Sequence, residues 1–260
     1  MRITVAALAL MGLGALLPAK GLGPAAFEPP GTVAVPAGAW DWRASGTWRE
    51  GGRLVDPPRL RAEAAAPLAV MRHQVSRADY ALCAADGACL PADPGPGDEP
   101  QTGVSWHDAT AYAAWLSERT GEDWRLPTDA EWQRLAAERF VDEAPGEGDF
   151  ADRWLARYAR EAEAQEGLDP VLRPRGGWGE NSWGVADLAG NVWEWTSDCV
   201  VNATLGPDGA VLSREDYCGA RVAQGPHRAV VIDFVRDASA GGCAAGVPPA
   251  HLGFRLVREG

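Results

Sequence analysis

Residues 104–136 read VSWHDATAYAAWLSERTGEDWRLPTDAEWQRLA, and residues 184–198 read GVADLAGNVWEWTSD. In the first stretch Ala109, Tyr112, Ala113 and Leu116 fall at the i, i+3, i+4 and i+7 positions of one face, so an apolar stripe marks a helix. Ser105 and Asp108 suit its start, and Gly121 stops it. Thr128 and Glu131 then form a T-x-x-E capping box for a second helix, with Trp132, Leu135 and Ala136 on its buried side. The pattern changes from residue 176 onward to Gly-, Trp- and Asn-rich loops and short strands, and it closes on GFRLVRE (253–259) as a last strand. Upstream, GTVAVPAGAWDWRASGTW (31–48) reads as one or two short strands and PLAVMRH (67–73) as another. Ser76 and Asp79 cap a short helix after it. Residues 91–100 form a solvated loop, and a more polar helix is expected over residues 152–165.

Composition agrees with this irregular picture. With 31 glycines and 20 prolines in 260 residues, a coiled coil, a helical bundle and a helical solenoid are excluded. A net charge of −12 with no basic stripe argues against nucleic acid as a partner. Twelve tryptophans stand against five phenylalanines and four tyrosines, which suggests a loop-rich core pinned by large aromatics whose N–H groups need acceptors.

The first 25 residues read as a secretory signal: Arg2 precedes an apolar run (3–18) that Gly12, Gly14 and Pro18 interrupt. An uncleaved membrane anchor is the alternative. After cleavage no stretch reaches ~18 apolar residues, so no integral membrane segment is expected and the protein is placed in the periplasm or outside the cell. Five cysteines suit that compartment. Cys83 and Cys89 bracket a turn short enough to bridge locally, and Cys199 and Cys218 enclose a loop rich in Gly, Asp and Asn. Cys243 is left over, and connectivity stays open at the level of sequence. No linker divides residues 26–260, so they read as one α+β domain.

RLPT-x-AEW at 125–132, GNVWEW at 190–195 and a terminal GFR at 253–255 together resemble the formylglycine-generating enzyme family, the sulfatase-modifying-factor domain. The resemblance spans most of the chain after residue 31. It implies a C-type-lectin-like fold with little regular structure, a small twisted sheet and flanking helices. It also implies calcium, held by the carboxylates of Asp187 and Glu194 and the backbone carbonyls of Gly190 and Val192, a donor set that a hard cation accepts. The same residues can serve the loop alone, with Asp187 capping a turn, Asn191 bonding the backbone and Glu194 pairing with an arginine. Trp193 corresponds to a tryptophan that lines the reaction pocket in the family.

The chain departs from the family where the chemistry lies. Family enzymes use two cysteines, five apart, to bind copper and oxidise a substrate cysteine to formylglycine. Anchored on Cys243 and the terminal GFR, those positions fall near Asp233 and Ala238, which cannot replace thiolates toward Cu(I). The remaining candidates are Asp233, Arg236 and Cys243, together with Trp193. Arg236 can clamp an anion and Cys243 can act as a thiol, or Asp233 and Arg236 can form a structural ion pair around a buried cysteine. Two functions compete. One is an exported accessory or maturation factor, oxidoreductase-like, that acts on another exported protein or a small metabolite and is not a sulfatase activator. The other is a non-catalytic lectin-like binding module.

Overall fold

The computed structural model describes residues 27–141, 148–167, 171–239 and 247–259. The expected signal (1–25) and Cys243 lie outside the described residues.

Three sheets organise the described residues. β1 (Thr32–Val35), β6 (Leu68–Met71) and β11 (Val257–Glu259) form one, with β6 in the centre and both neighbours antiparallel to it. β2 (Gly38–Arg43) and β5 (Arg59–Ala64) form a two-stranded ribbon. The largest sheet runs β4 (Arg53–Val55), β3 (Thr47–Glu50), β7 (Trp193–Leu205), β8 (Val211–Gln224) and β9 (Ala229–Ile232), and β10 (Leu252–Gly253) adds in parallel to the start of β7. Instead of the short strands expected after residue 176, β7 and β8 are 13 and 14 residues long. The loop expected between Cys199 and Cys218 is thus largely paired strand, turning near Gly206–Gly209.

The helices follow their local signals. α1 (Arg77–Ala85), α2 (Trp106–Thr120) and α3 (Asp129–Ala136) each open with a reciprocal capping box, from Ser76 and Asp79, Ser105 and Asp108, and Thr128 and Glu131. Gly121, at φ 71°, ends α2 in the left-handed conformation that a Cβ would disfavour. The RLPT-x-AEW motif has a physical basis beyond its cap. Arg125 donates to both oxygens of Glu131, at 2.7 Å each, and so ties the strand-like approach to the first turn of α3. The polar fourth helix, α4, spans Phe150–Glu166.

Core packing joins these parts. α1 and α2 pack with Trp193, Trp195 and Phe254 in one apolar cluster, and α3 closes the three-stranded sheet through Trp132, Leu135 and Val70 in a second. Four of the tryptophans find the expected acceptors, Trp48 in the Ser45 carbonyl, Trp195 in Val104, Trp193 in His227 and Trp106 in Thr196, whereas the Trp178 N–H is buried without one. Both expected disulfides form, Cys83–Cys89 with Cα atoms 5.3 Å apart and Cys199–Cys218 at 4.5 Å. The second crosses β7 and β8 where their register shifts.

Candidate functional site

The 187–194 loop is built around a buried ion pair. Arg255, fully buried, sends Nε to Glu194 Oε2 and Nη2 to Glu194 Oε1, at 2.6 Å each. Glu194 accepts further bonds from Gln74 Nε2 (2.8 Å) and Trp132 Nε1 (2.9 Å). Arg255 Nη2 also donates to the Ala186 carbonyl at 2.8 Å. Asp187 turns its carboxylate toward the preceding loop, accepting from the amides of Gly176 and Trp178 at 2.7 and 2.9 Å. Asn191 bonds the backbone of Arg173 through both ends of its amide. The Gly190 carbonyl accepts from the Val192 amide at 2.7 Å, and a Cβ at Gly190 would stand 2.8 Å from the Trp178 ring. Asp187, Ala189 and Asn191 all hold positive φ, so the loop is fixed in a conformation that only dense local bonding supports.

Both carboxylates expected to hold calcium are already bonded within the protein. Glu194 already faces a cation, the Arg255 guanidinium, and the Asp187 carboxylate is spent on backbone donors. Among the described residues no cluster of three or more His, Cys, Asp or Glu side chains converges as a metal site. Asp187, Gly190, Val192 and Glu194 therefore do not fit a calcium ion as they stand, because binding one would require breaking the buried pair.

A second cluster gathers at the start of α2. His107 Nε2 lies 3.2 Å from Asp233 Oδ2, and the Trp106 amide donates to the Asp233 carbonyl at 3.0 Å. Arg236 Nη2 reaches Asp108 Oδ1 at 2.6 Å, and its Nη1 donates to the Pro91 carbonyl at 2.9 Å. The expected pairing of Asp233 with Arg236 is replaced by two pairings with consecutive residues of α2. Burial alone would raise the Asp108 carboxyl, but donation from Arg236 and Ser105 outweighs it and holds that group below the usual carboxylate range. The Asp108 bond likewise raises Arg236. Beside them the Arg221 guanidinium lies 3.8 Å from the Trp106 ring centroid and donates to the Ser197 carbonyl at 2.9 Å.

Of the sequence candidates, Asp233 and Arg236 thus share one face of α2 and Trp193 does not join them by any bond. Trp193 is 2% exposed, packs edge-on to His227 and presses against Gly225. Ala238, at the second family cysteine position, is buried. His107 was the residue missed: its signal was the adjacency of an aromatic, a histidine and a helix-capping aspartate in SWHD. Its side chain is 59% exposed. Asp233 holds Nε2, so the exposed ring has a fixed orientation at the start of α2.

Residues 19–260 match the family profile of the Sulfatase-modifying factor enzyme 1-like domain. An inactive C-alpha-formylglycine-generating enzyme 2 from Bos taurus is 30% identical over 181 residues, covering 62% of this chain and 58% of that protein. A formylglycine-generating enzyme from Thermomonospora curvata is 33% identical over 131 residues, 44% of this chain and 41% of its own. The chain therefore spans less than two-thirds of the length of either relative. Among solved structures, PvdO from Pseudomonas aeruginosa superposes with a TM-score of 0.57 at 24% identity, covering 88% of this chain and 94% of its own. The α+β sulfatase-modifying-factor fold expected from the motifs is the fold found.

Proposed function

From its membership of the sulfatase-modifying factor enzyme 1-like domain family, to which this chain belongs, we propose that the protein is an exported accessory factor that acts on another exported protein or a small metabolite and generates no formylglycine. The observation that carries this reading is the cysteine count. Of five cysteines, four are joined in pairs, so one thiol remains and a single chain cannot assemble a copper centre from two thiolates. The name of the Bos taurus relative, an inactive enzyme, agrees with such a role. Two disulfides support an oxidising compartment, and no helix among the described residues is long and apolar enough to cross a membrane.

In this role the chain's own groups hold and orient a docked partner. His107, aligned by Asp233, presents its exposed ring to that partner. Arg236 is a positioning residue, because it pins the loop after β9 to the N-terminal turn of α2 through Asp108. The test is direct. The purified protein, with copper(I) supplied, is incubated with a cysteine-containing sulfatase peptide and the peptide is weighed by mass spectrometry. No aldehyde is expected, and catalytic conversion of the cysteine would overturn the proposal. Titration of the native protein with a thiol reagent then separates an acting factor from a passive binding module: a fast-reacting Cys243 supports the former, an inert one the latter.

A further inference from the structure

Helix α4 is inverted relative to an ordinary surface helix. Its one buried residue is Glu161, while Trp154, Leu155 and Tyr158 are 40%, 59% and 41% exposed. It is tied to the rest of the molecule at both ends by polar contacts. Arg153 Nε reaches Asp56 at 2.8 Å near its start, and Gln165 Oε1 meets His227 Nε2 at 3.3 Å near its end. Between the two ties the helix stands off the large sheet and encloses a cleft of about 470 Å³. That volume falls in the range of small-molecule sites and is too small for a folded partner.

The walls of the cleft differ in chemistry. Phe150, Trp154 and Tyr158 line it from the helix, and the Trp154 and Tyr158 rings are stacked, with centroids 5.7 Å apart and planes at 23°. Leu54, Val55 and Val200 face them from the sheet. Among the described residues the charged lining consists of Arg49, Arg157 and Arg228 against the carboxylate of Glu161. Arg157 lies 3.8 Å from Glu161, beyond hydrogen-bond range. Arg228 gives Nη1 and Nη2 to the carbonyls of Ala44 and Arg43, at 2.9 and 2.7 Å, and lies 3.6 Å from Asp129, while its Nε is buried without an acceptor. A surplus of guanidinium groups in a chain of net charge −12 is a local reversal of sign.

We infer that this cleft binds a small, flat, apolar ligand carrying one acid group, of the aromatic-carboxylate class, with its ring between the Trp154–Tyr158 stack and the sheet and its acid toward Arg157 and Arg228. A neutral saccharide fits less well, since its hydroxyls would meet mostly aliphatic and aromatic carbon. The cleft shares no residue with the cluster at the start of α2, so this inference does not rest on the proposed function.

Isothermal titration of the full chain with naphthoate and with uncharged naphthamide tests it. Saturable one-to-one binding of naphthoate is expected, roughly tenfold tighter than naphthamide. Trp154→Ala should weaken both ligands by about tenfold, the worth of one aromatic stacking contact. Arg157→Gln should bring naphthoate down to the level of naphthamide. Both side chains are partly exposed, so circular dichroism should report an unchanged fold; Tyr158→Ala serves if Trp154→Ala does not fold. Absence of saturable binding, equal affinity for acid and amide, indifference to the ring substitutions, or tighter binding of a neutral disaccharide such as maltose would each overturn the inference.

Discussion

Arg255 joins three distant segments with one side chain: Glu194 on β7, Ala186 in the positive-φ loop, and the carbonyls of Met71 and Arg72 at the end of β6, both at 3.3 Å. Removing one partner of a buried pair leaves the other uncompensated, so Glu194→Gln should cost about 3–5 kcal/mol in urea unfolding. Because the guanidinium supplies the cation in this loop, a chelator should leave the unfolding temperature unchanged; a drop of several degrees with EDTA would reinstate the metal. Two histidines, the buried His227 and the half-buried His73, give a pH dependence. Desolvation depresses both below the ordinary 6.5. Below that pH the unfolded chain takes up protons that the folded chain refuses, so stability is full above about pH 6.5 and falls as pH drops. His227→Gln should flatten that slope in thermal melts between pH 7 and 5, and an unaltered slope would remove His227 as its source. Glu194 paired with an arginine was one of two readings open in the sequence, but nothing local identified Arg255, 61 residues away, as the partner.

At the scale of elements, α2 shows what local pattern can and cannot reveal. Its cap was legible because Ser105 and Asp108 are three residues apart and satisfy backbone donors of their own turn. The link from Asp108 to Arg236 was not, since 128 residues separate them and only the folded chain brings them together. Asp108 thus does two jobs, and Asp108→Asn should cost about 2 kcal/mol against about 1 for Ser105→Ala, as measured by denaturant unfolding. Its depressed pKa adds stability that is present above the ordinary carboxylate range and lost as the solution is acidified through it. Strands β4 and β5 escaped sequence reading for a different reason. RLV is three residues long and mostly exposed, and RLRAEA, though it alternates charged and apolar residues, buries its Leu60, Ala62 and Ala64 face only in part, so its apolar signal is weak. The long β7–β8 hairpin was hidden in the same way, because residues 211–219 of β8 are exposed throughout.

Across the whole molecule, the Cys199–Cys218 bridge clips that hairpin where its ladder is irregular. Replacing both cysteines by serine should lower stability by about 3 kcal/mol, and the loss should equal that produced by selective reduction. The order of closure along the chain matters as well. β6 is completed on one side by β1, its near neighbour in sequence, and on the other by β11, which ends at Glu259. Glu194 likewise waits for Arg255, 61 residues further along the chain. While residues 255–259 are undocked, the first sheet is open on one side and the interior acid is uncompensated. Through this keystone, completing the first sheet and neutralising the loop's acid become one event.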